Sequence, residues 1–280
     1  MKLDSSLKFS VLMPVYIKEN PGYLCQSLNS ILLDQTTKPD EIVIVEDGPL
    51  TEELYDALAQ FYKQFPDIIK IYKLESNMGM GYAMNYGLNK CRNEWIFRMD
   101  SDDIALPTRF EKQLEIIQTG KYDVVGSATE EFNITAGDLR QFRIMPENHA
   151  DIIKFMKLRN PINHMTVAFR KETAIKAGGY WDKRYFEDYN LWYEMFKVGA
   201  KFYNLKEVLV NARVGNNMVE RRSGYAYYQY ENELMKKFLK DKFISSFEYG
   251  IVLSIKLVLR ILPVKILSVF YQKFLREANN

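Results

Sequence analysis

The chain is poor in the residues that build metal clusters, cross-links and export signals. Two histidines among 280 residues, His149 and His164, exclude a histidine-based metal centre. Two cysteines, Cys25 and Cys91, make neither a disulfide framework nor a zinc site and point to a reducing compartment. Met1 to Tyr16 holds only a short apolar run, broken by Pro14, which does not read as a signal peptide. No uninterrupted apolar run reaches the ~20 residues of a spanning helix. Charge of one sign is lacking too: 38 basic and 36 acidic residues leave a net +2, so there is no global case for a nucleic-acid partner. Neither an internal repeat nor a flexible linker is visible. What is present is a globular composition, 47% hydrophobic and 26% charged, and enough chain for one compact body with a sizeable core.

Strand-like and helix-like segments alternate. Phe9 to Tyr16 is a near-continuous apolar run, as a strand buried on both faces should be. Tyr23, Leu24, Leu28, Ile31 and Leu32 recur at helical spacing. Further strands are predicted at Glu41 to Val45, Ile68 to Leu74, Trp95 to Met99 and Asp123 to Gly126, with helices over Leu54 to Phe65, Tyr82 to Cys91 and from Pro107 to Gln118. This alternation predicts a mostly parallel α/β sheet, with ligands at the carboxyl ends of its strands. Ile134 to Asn148 reads as a polar hairpin, Ile152 to Leu158 as a short helix, Met165 to Arg170 as a strand, and Phe202 to Val214 as one or two more.

Three polar clusters fall at predicted strand ends: Glu46-Asp47-Gly48-Pro49, Asn77-Met78-Gly79, and Asp100-Ser101-Asp102-Asp103. Asp100 and Asp102 share one side of an extended segment. Two carboxylates so close repel unless a cation lies between them, and hard oxygen ligands suit Mg²⁺ or Mn²⁺ with a diphosphate. The alternative is a solvated turn with Asp103 at the start of a helix. Three such clusters on one sheet edge favour the metal–diphosphate site. Gly79 to Met84 imitates a dinucleotide fingerprint, but the third glycine position is Met84 and the unit is not the first of the sheet.

Later residues carry two readings each. Glu187-Asp188 opens a helix: acids there meet the helix dipole favourably, or supply a general base. His164 either touches an acceptor or a diphosphate, or is a satisfied buried histidine. Arg213, Arg221 and Arg222 either clamp a diphosphate or form a solvated basic face. Tyr189 and Trp192 read as core. From Lys236 to Arg276 there are nine basic residues and two acids, on a body of net −5. Phe247 to Phe274 is apolar, interrupted by Lys256, Arg260, Lys265 and Lys273 and bent at Pro263. That pattern predicts a basic amphipathic helix lying in a membrane interface; packing on the body or on a second copy is the alternative.

The segments "SVLMPVY", "EDGP", "NMGMGYAMNYGL", "RMDSDD" and "FEDYNLW" occur in the order and roughly the spacing of glycosyltransferase family 2. The chain resembles that family over nearly its whole length, and within it the bacterial exopolysaccharide, capsule and O-antigen enzymes of the amylovoran-biosynthesis type. The resemblance implies a GT-A fold: a Rossmann-like, mostly parallel sheet flanked by helices, followed by an amphipathic helical tail. It implies a nucleotide-sugar-binding half over residues 1–105, an acceptor-binding half over 106–215 and the tail over 216–280. Carried over by position, Pro14, Val15, Glu46, Asp47, Asn77, Gly79, Asp100 and Ser101 bind the nucleotide sugar, Asp102 with Asp100 holds Mn²⁺ or Mg²⁺, and Asp188 beside Glu187 is the catalytic base. Glu46 departs from the family's usual aspartate at the uracil. The Gln-x-x-Arg-Trp motif of processive synthases is missing, which implies single-sugar transfer. The implied activity is inverting, metal-dependent transfer from a UDP-sugar to a lipid-linked saccharide, in the cytoplasm at the inner face of a bacterial membrane. The alternative is a non-catalytic nucleotide-sugar-binding or scaffold subunit of the same fold.

Overall fold

The computed structural model describes residues 7–214, 224–261 and 277–278. Strands β1 (Phe9–Val15), β2 (Glu41–Glu46), β3 (Ile69–Lys73) and β4 (Trp95–Arg98) alternate with helices α1 (Pro21–Leu32), α2 (Glu52–Gln64) and α3 (Met80–Lys90). These four strands are parallel, in the order β3-β2-β1-β4. Beyond β4 the sheet becomes mixed. Strand β8 (Ala168–Arg170) lies antiparallel to β4, and β6 (Val124–Phe132) antiparallel to β8. The hairpin expected before Asn148 forms between β6 and β7 (Gln141–Arg143). Strand β9 (Phe202–Arg213) is a single strand of 12 residues, parallel to β6 and bulged opposite Ser127–Thr129.

Why these strands are buried on both faces is visible in β1. Leu12 belongs to a core shared with Val43, Met84, Ile96 and Trp192, while Val11 and Met13 point into the opposite core with Leu28, Ile44 and Phe97. Successive side chains alternate between faces, so a strand covered on both sides must be apolar throughout. Pro14 is placed where the sheet opens. Leu12 O still accepts from Met99 N at 3.1 Å, but Pro14 has no N–H to continue the ladder towards β4, and the chain leaves the sheet after Met99.

The start of the second half differs from the sequence expectation. No helix begins at Leu106-Pro107. A short strand, β5 (Ile104–Ala105), pairs with β9, and α4 (Arg109–Ile117) starts only after Thr108. Asp103 therefore caps no helix. Its buried carboxylate accepts from Arg213 N at 2.8 Å, tying the aspartate loop to the end of β9.

The two described C-terminal helices pack on the body. Helix α8 (Tyr225–Lys240) puts Leu234, Met235 and Phe238 into the core beside Tyr189, Trp192 and Tyr193 of α7 (Glu187–Lys197), and α9 (Ser246–Ile261) adds Val252 and Leu253. Among the described residues, no helix is long and apolar enough to cross a membrane. Lys256 and Arg260, expected on a lipid-facing basic surface, turn inward instead. Both pair with Glu231 of α8, Arg260 at 3.2 Å, and Lys256 is 8% exposed. Burial opposes ionisation of Glu231, but the two cations outweigh it and hold its carboxyl below the ordinary range. Arg221, Arg222, Lys265, Lys273 and Pro263 lie outside the described residues.

Candidate active site

The loop after β4 gathers three aspartates. Asp100, Asp102 and Asp103 each offer an oxygen within 4.8 Å of the others, a hard-oxygen set that fits a divalent cation. Burial, then Asp100 and Glu19, push the Asp102 carboxyl up to about 7. Such crowding of buried acids is what a cation relieves. Ser101 Oγ donates to Glu19 Oε2 at 2.6 Å, and Ser27 Oγ to the Asp100 carbonyl at 2.8 Å, so α1 and the loop before it brace the aspartates. Arg98 forms a salt bridge with Asp100 from beneath. Arg109, fully buried, donates to Arg98 O at 2.6 Å and to Met99 Sδ at 2.9 Å.

Arg213 is part of this brace. Its backbone N–H holds Asp103, its Nε donates to Asp102 O at 3.0 Å, and its terminal nitrogens reach Asn133 O and Gln26 Oε1. The guanidinium stacks on Tyr23 at 3.6 Å. These contacts brace the aspartate loop.

At the adjoining strand ends, Val15 O accepts from Asp47 N at 2.8 Å, which joins the ends of β1 and β2. The Asp47 carboxylate accepts from Met78 N at 2.7 Å and Gly79 N at 3.0 Å, and Asn77 Nδ2 donates back to Asp47 O at 3.3 Å. Asp47 and Asn77 thus lock together the loops that follow β2 and β3. Gly48 makes this closeness feasible: at φ +86° a Cβ there would lie 2.6 Å from Asn77 N. Glu46 is 2% exposed and sits 3.5 Å from Lys73, with burial pushing its carboxyl up and Lys73 pulling it back.

Helix α7 presents Glu187 and Asp188 from an unusual turn. Tyr185 and Phe186 both have positive φ, 66° and 58°, a conformation bulky side chains adopt only under constraint. The constraint is α8: Tyr227 packs on Tyr185 at 5.0 Å and on Phe186 at 4.8 Å. Gly81, at the start of α3, lets that region approach closely, since a Cβ would fall 2.2 Å from Trp181 O. The Asp188 carboxylate accepts from Asn160 Nδ2 at 2.6 Å and from Tyr189 N at 2.7 Å. Burial, then Asp188, push Glu187 up to about 7.

Asp100, Glu187 and Asp188 line one cavity of about 640 Å³, together with Arg98, Asn160 and His164. His164 Nε2 lies 3.1 Å from the Tyr180 hydroxyl, and burial, then Arg98, hold its pKa well below the ordinary value. A neutral imidazole walls the cavity; it brings no positive charge to a phosphate. Tyr189 and Trp192 are buried in the core, as expected.

The shift on Glu187 gives a measurable pH dependence. Its carboxyl titrates near 4.5 in the unfolded chain and near 7 in the fold. Between those values the unfolded state loses the proton first, so folded stability falls as pH rises through the window. Glu187→Gln should therefore stabilise the protein at pH 8 by about 1–3 kcal/mol, with little gain at pH 4.5. Thermal melts at both values decide it; an equal gain at both would refute the buried-acid account.

Sequence reading missed Asn160, Arg109 and Arg98. Asn160 and Arg109 act through partners distant in the chain. Arg98 left a signal: a lone cation in the apolar strand Trp95-Ile96-Phe97.

Comparison with known proteins gives the family and the fold. The family model described as Glycosyl transferase family 2 matches residues 10–178. An uncharacterized glycosyltransferase of Haemophilus influenzae is 42% identical over 97% of this chain and 100% of its own. The amylovoran biosynthesis glycosyltransferase AmsE of Erwinia amylovora is 38% identical over 95% of this chain and 98% of its own. The UDP-Gal:alpha-D-GlcNAc-diphosphoundecaprenol beta-1,3-galactosyltransferase of Escherichia coli is 35% identical over 98% of both. Among solved structures, residues 1–349 of Staphylococcus aureus TarS with UDP-GlcNAc superpose with a TM-score of 0.65 at 19% identity, covering 90% of this chain and 72% of that one. The same score is reached over 46% of the full-length TarS chain. The mannosyltransferase PcManGT of Pyrobaculum calidifontis, with GDP-Man and Mn²⁺, gives 0.61 at 13% identity over 96% and 82%. The sheet and its helices have the GT-A architecture, and the chain belongs to glycosyltransferase family 2 and is a glycosyltransferase.

Proposed function

We propose that the protein transfers one sugar, with inversion, from a UDP-sugar to a lipid-linked saccharide. The observation that carries this reading is the single cavity into which the aspartate loop and the start of α7 both open. The E. coli relative is named for such a donor and such an acceptor, which supports the same substrate classes here. Residues 1–105 hold the donor, with the loops locked by Asp47 and Asn77 around the base and ribose. Residues 106–215 shape the acceptor side, and α8 and α9 close it.

Asp188 is the general base. Its carboxylate is fixed by Asn160 and by the Tyr189 N–H in the wall of the cavity that would receive the acceptor hydroxyl. It takes that proton as the hydroxyl oxygen bonds to the anomeric carbon, while the bond from that carbon to the nucleoside diphosphate breaks on the opposite side. Attack and departure on opposite faces give inversion. Asp102 and Asp100 would hold Mn²⁺ or Mg²⁺, which supplies positive charge against that building on the departing diphosphate. Arg98, Arg109 and Arg213 keep the aspartates in place. Glu187 stays beside the base and, near neutral pH, is partly protonated.

The test is nucleotide release from a panel of nucleotide sugars. UDP should be released from at least one UDP-sugar with Mn²⁺ or Mg²⁺, slowly alone and faster with a lipid-linked saccharide, and release should stop with chelator. No release from any nucleotide sugar with either metal would overturn the reading; release indifferent to chelator would remove the metal from it.

A further inference from the structure

Asp188 is carried by a turn that local preference disfavours. Tyr185 and Phe186, both bulky and both at positive φ, come directly before Glu187, and no side chain caps the start of α7. Such a turn persists only where its surroundings over-determine it. Helix α8 grips it from both ends. Upstream, Lys183 Nζ donates to Glu233 Oε2 at 2.6 Å. At the turn, Tyr227 packs on both rings and Tyr230 on Tyr185 at 5.8 Å. Downstream, Lys237 Nζ donates to Asn190 Oδ1 at 2.7 Å and pairs with Glu194 at 2.7 Å, while Phe238 packs on Tyr189 and Tyr193.

Helix α8 is held in turn by α9, through one side chain above all. Arg260 donates from Nε to Glu231 Oε2 at 3.2 Å and from Nη2 to Glu231 Oε1 at 3.3 Å. Its guanidinium also lies 4.5 Å from the Tyr227 ring, and its carbonyl accepts from Gly224 N, just before α8, at 3.1 Å. Tyr227 and Glu231 are four residues apart on α8 and so share a face. A planar fork that binds a carboxylate and lies on an aromatic ring at once is a geometry lysine does not supply. Contacts therefore run without a break from Arg260 to Tyr227, to Phe186, and to the first turn of α7.

Resting on the reading of Asp188 as general base, we propose that Tyr227 and Arg260 are positioning residues for that base. Arg260 fixes the Tyr227 ring, the ring fixes the Tyr185–Phe186 turn, and the turn sets the angle at which Asp188 meets the acceptor hydroxyl. The C-terminal helices are then part of the transfer machinery although none of their atoms reacts. Both residues also line the cavity, so direct contact with the acceptor is the rival role.

The test is UDP release, using the UDP-sugar and lipid-linked saccharide that together release it fastest. Tyr227→Ala should lower kcat about 10–100-fold, the scale of a misplaced reacting group, with acceptor KM and UDP affinity in Mn²⁺ unchanged. Tyr227→Phe keeps the ring and should restore kcat. Arg260→Met should lower kcat alone and by less, with Arg260→Lys in between. In an Asp188→Asn background, Tyr227→Ala should cost almost nothing more, because no base remains to be placed. Hydrogen exchange over residues 185–190 should quicken in Tyr227→Ala and Arg260→Met and stay unchanged in β1 to β4. Melting curves check that each variant is folded. Arg260→Met leaves Glu231 its Lys256 partner and carries the test if Tyr227→Ala does not fold.

A raised acceptor KM at constant kcat would make Tyr227 an acceptor contact and overturn the proposal. Losses that multiply with Asp188→Asn, or unchanged exchange over 185–190, would overturn it as well. Turnover lost by Asp188→Asn but kept by Tyr227→Ala and Arg260→Met removes this proposal alone. Turnover kept by Asp188→Asn removes the base reading and this proposal with it.

Discussion

Asp188→Asn should lower turnover by roughly 10²–10⁴-fold, the usual contribution of a positioned general base, while UDP affinity in Mn²⁺ stays within about a factor of two. The substitution is nearly isosteric, and the amide oxygen can still accept from Asn160 or from Tyr189 N, which now hold the carboxylate. What it lacks is a basic oxygen for the acceptor proton. Loss of a negative charge in the first turn of α7 should reduce stability only slightly, by about 0.3–1 kcal/mol. The measurement is transfer rate at saturating donor, beside UDP binding by calorimetry. Turnover within a few-fold of wild type would remove Asp188 as base and make Glu187 the next group to test. A parallel loss of UDP affinity would instead place Asp188 in donor binding.

Asp102→Ala should have an effect of similar size by another route. It should weaken Mn²⁺ binding by more than about 100-fold, beyond what losing an outer-shell partner does, and nearly abolish transfer. The folded state without metal should not weaken. Asp102 is buried among Asp100 and Glu19, and its carboxyl is pushed up to about 7, so removing it relieves repulsion at neutral pH. Manganese titration and thermal melts with and without metal read both effects. Unchanged Mn²⁺ affinity would take Asp102 out of the metal set; marked destabilisation of the metal-free protein would mean it acts chiefly as structural support.

These two residues were visible in the sequence because each is announced by its own neighbours. Asp100 and Asp102 follow an apolar strand, and Asp188 opens a patterned helix, so local periodicity alone places them at element ends. The two-sided burial of β1 and β2 was legible in the same way, from unbroken apolar runs. Boundaries were less so. Asp103 looks like a helix-capping residue in its local context, yet its carboxylate serves Arg213, 110 positions away. Arg213 in turn looks like a surface cation, and its aromatic and hydrogen-bonding partners come from α1, β6 and the aspartate loop.

The C-terminal helices mark the division most sharply. Their composition, cations interrupting apolar residues, is the same whether the charges face outward or inward. The sequence by itself determined that α9 is two-sided, that the strand-end acids gather on one edge, and that Asp188 begins a helix. Only the tertiary structure decided which side of α9 faces out, because that depends on Glu231, a buried carboxylate 25 residues from Lys256 that makes the inward orientation of the two cations favourable. The same holds for the strained turn at Tyr185–Phe186: local preference disfavours it, and the packing of Tyr227 from a distant helix overrides that preference and aims Asp188 into the cavity.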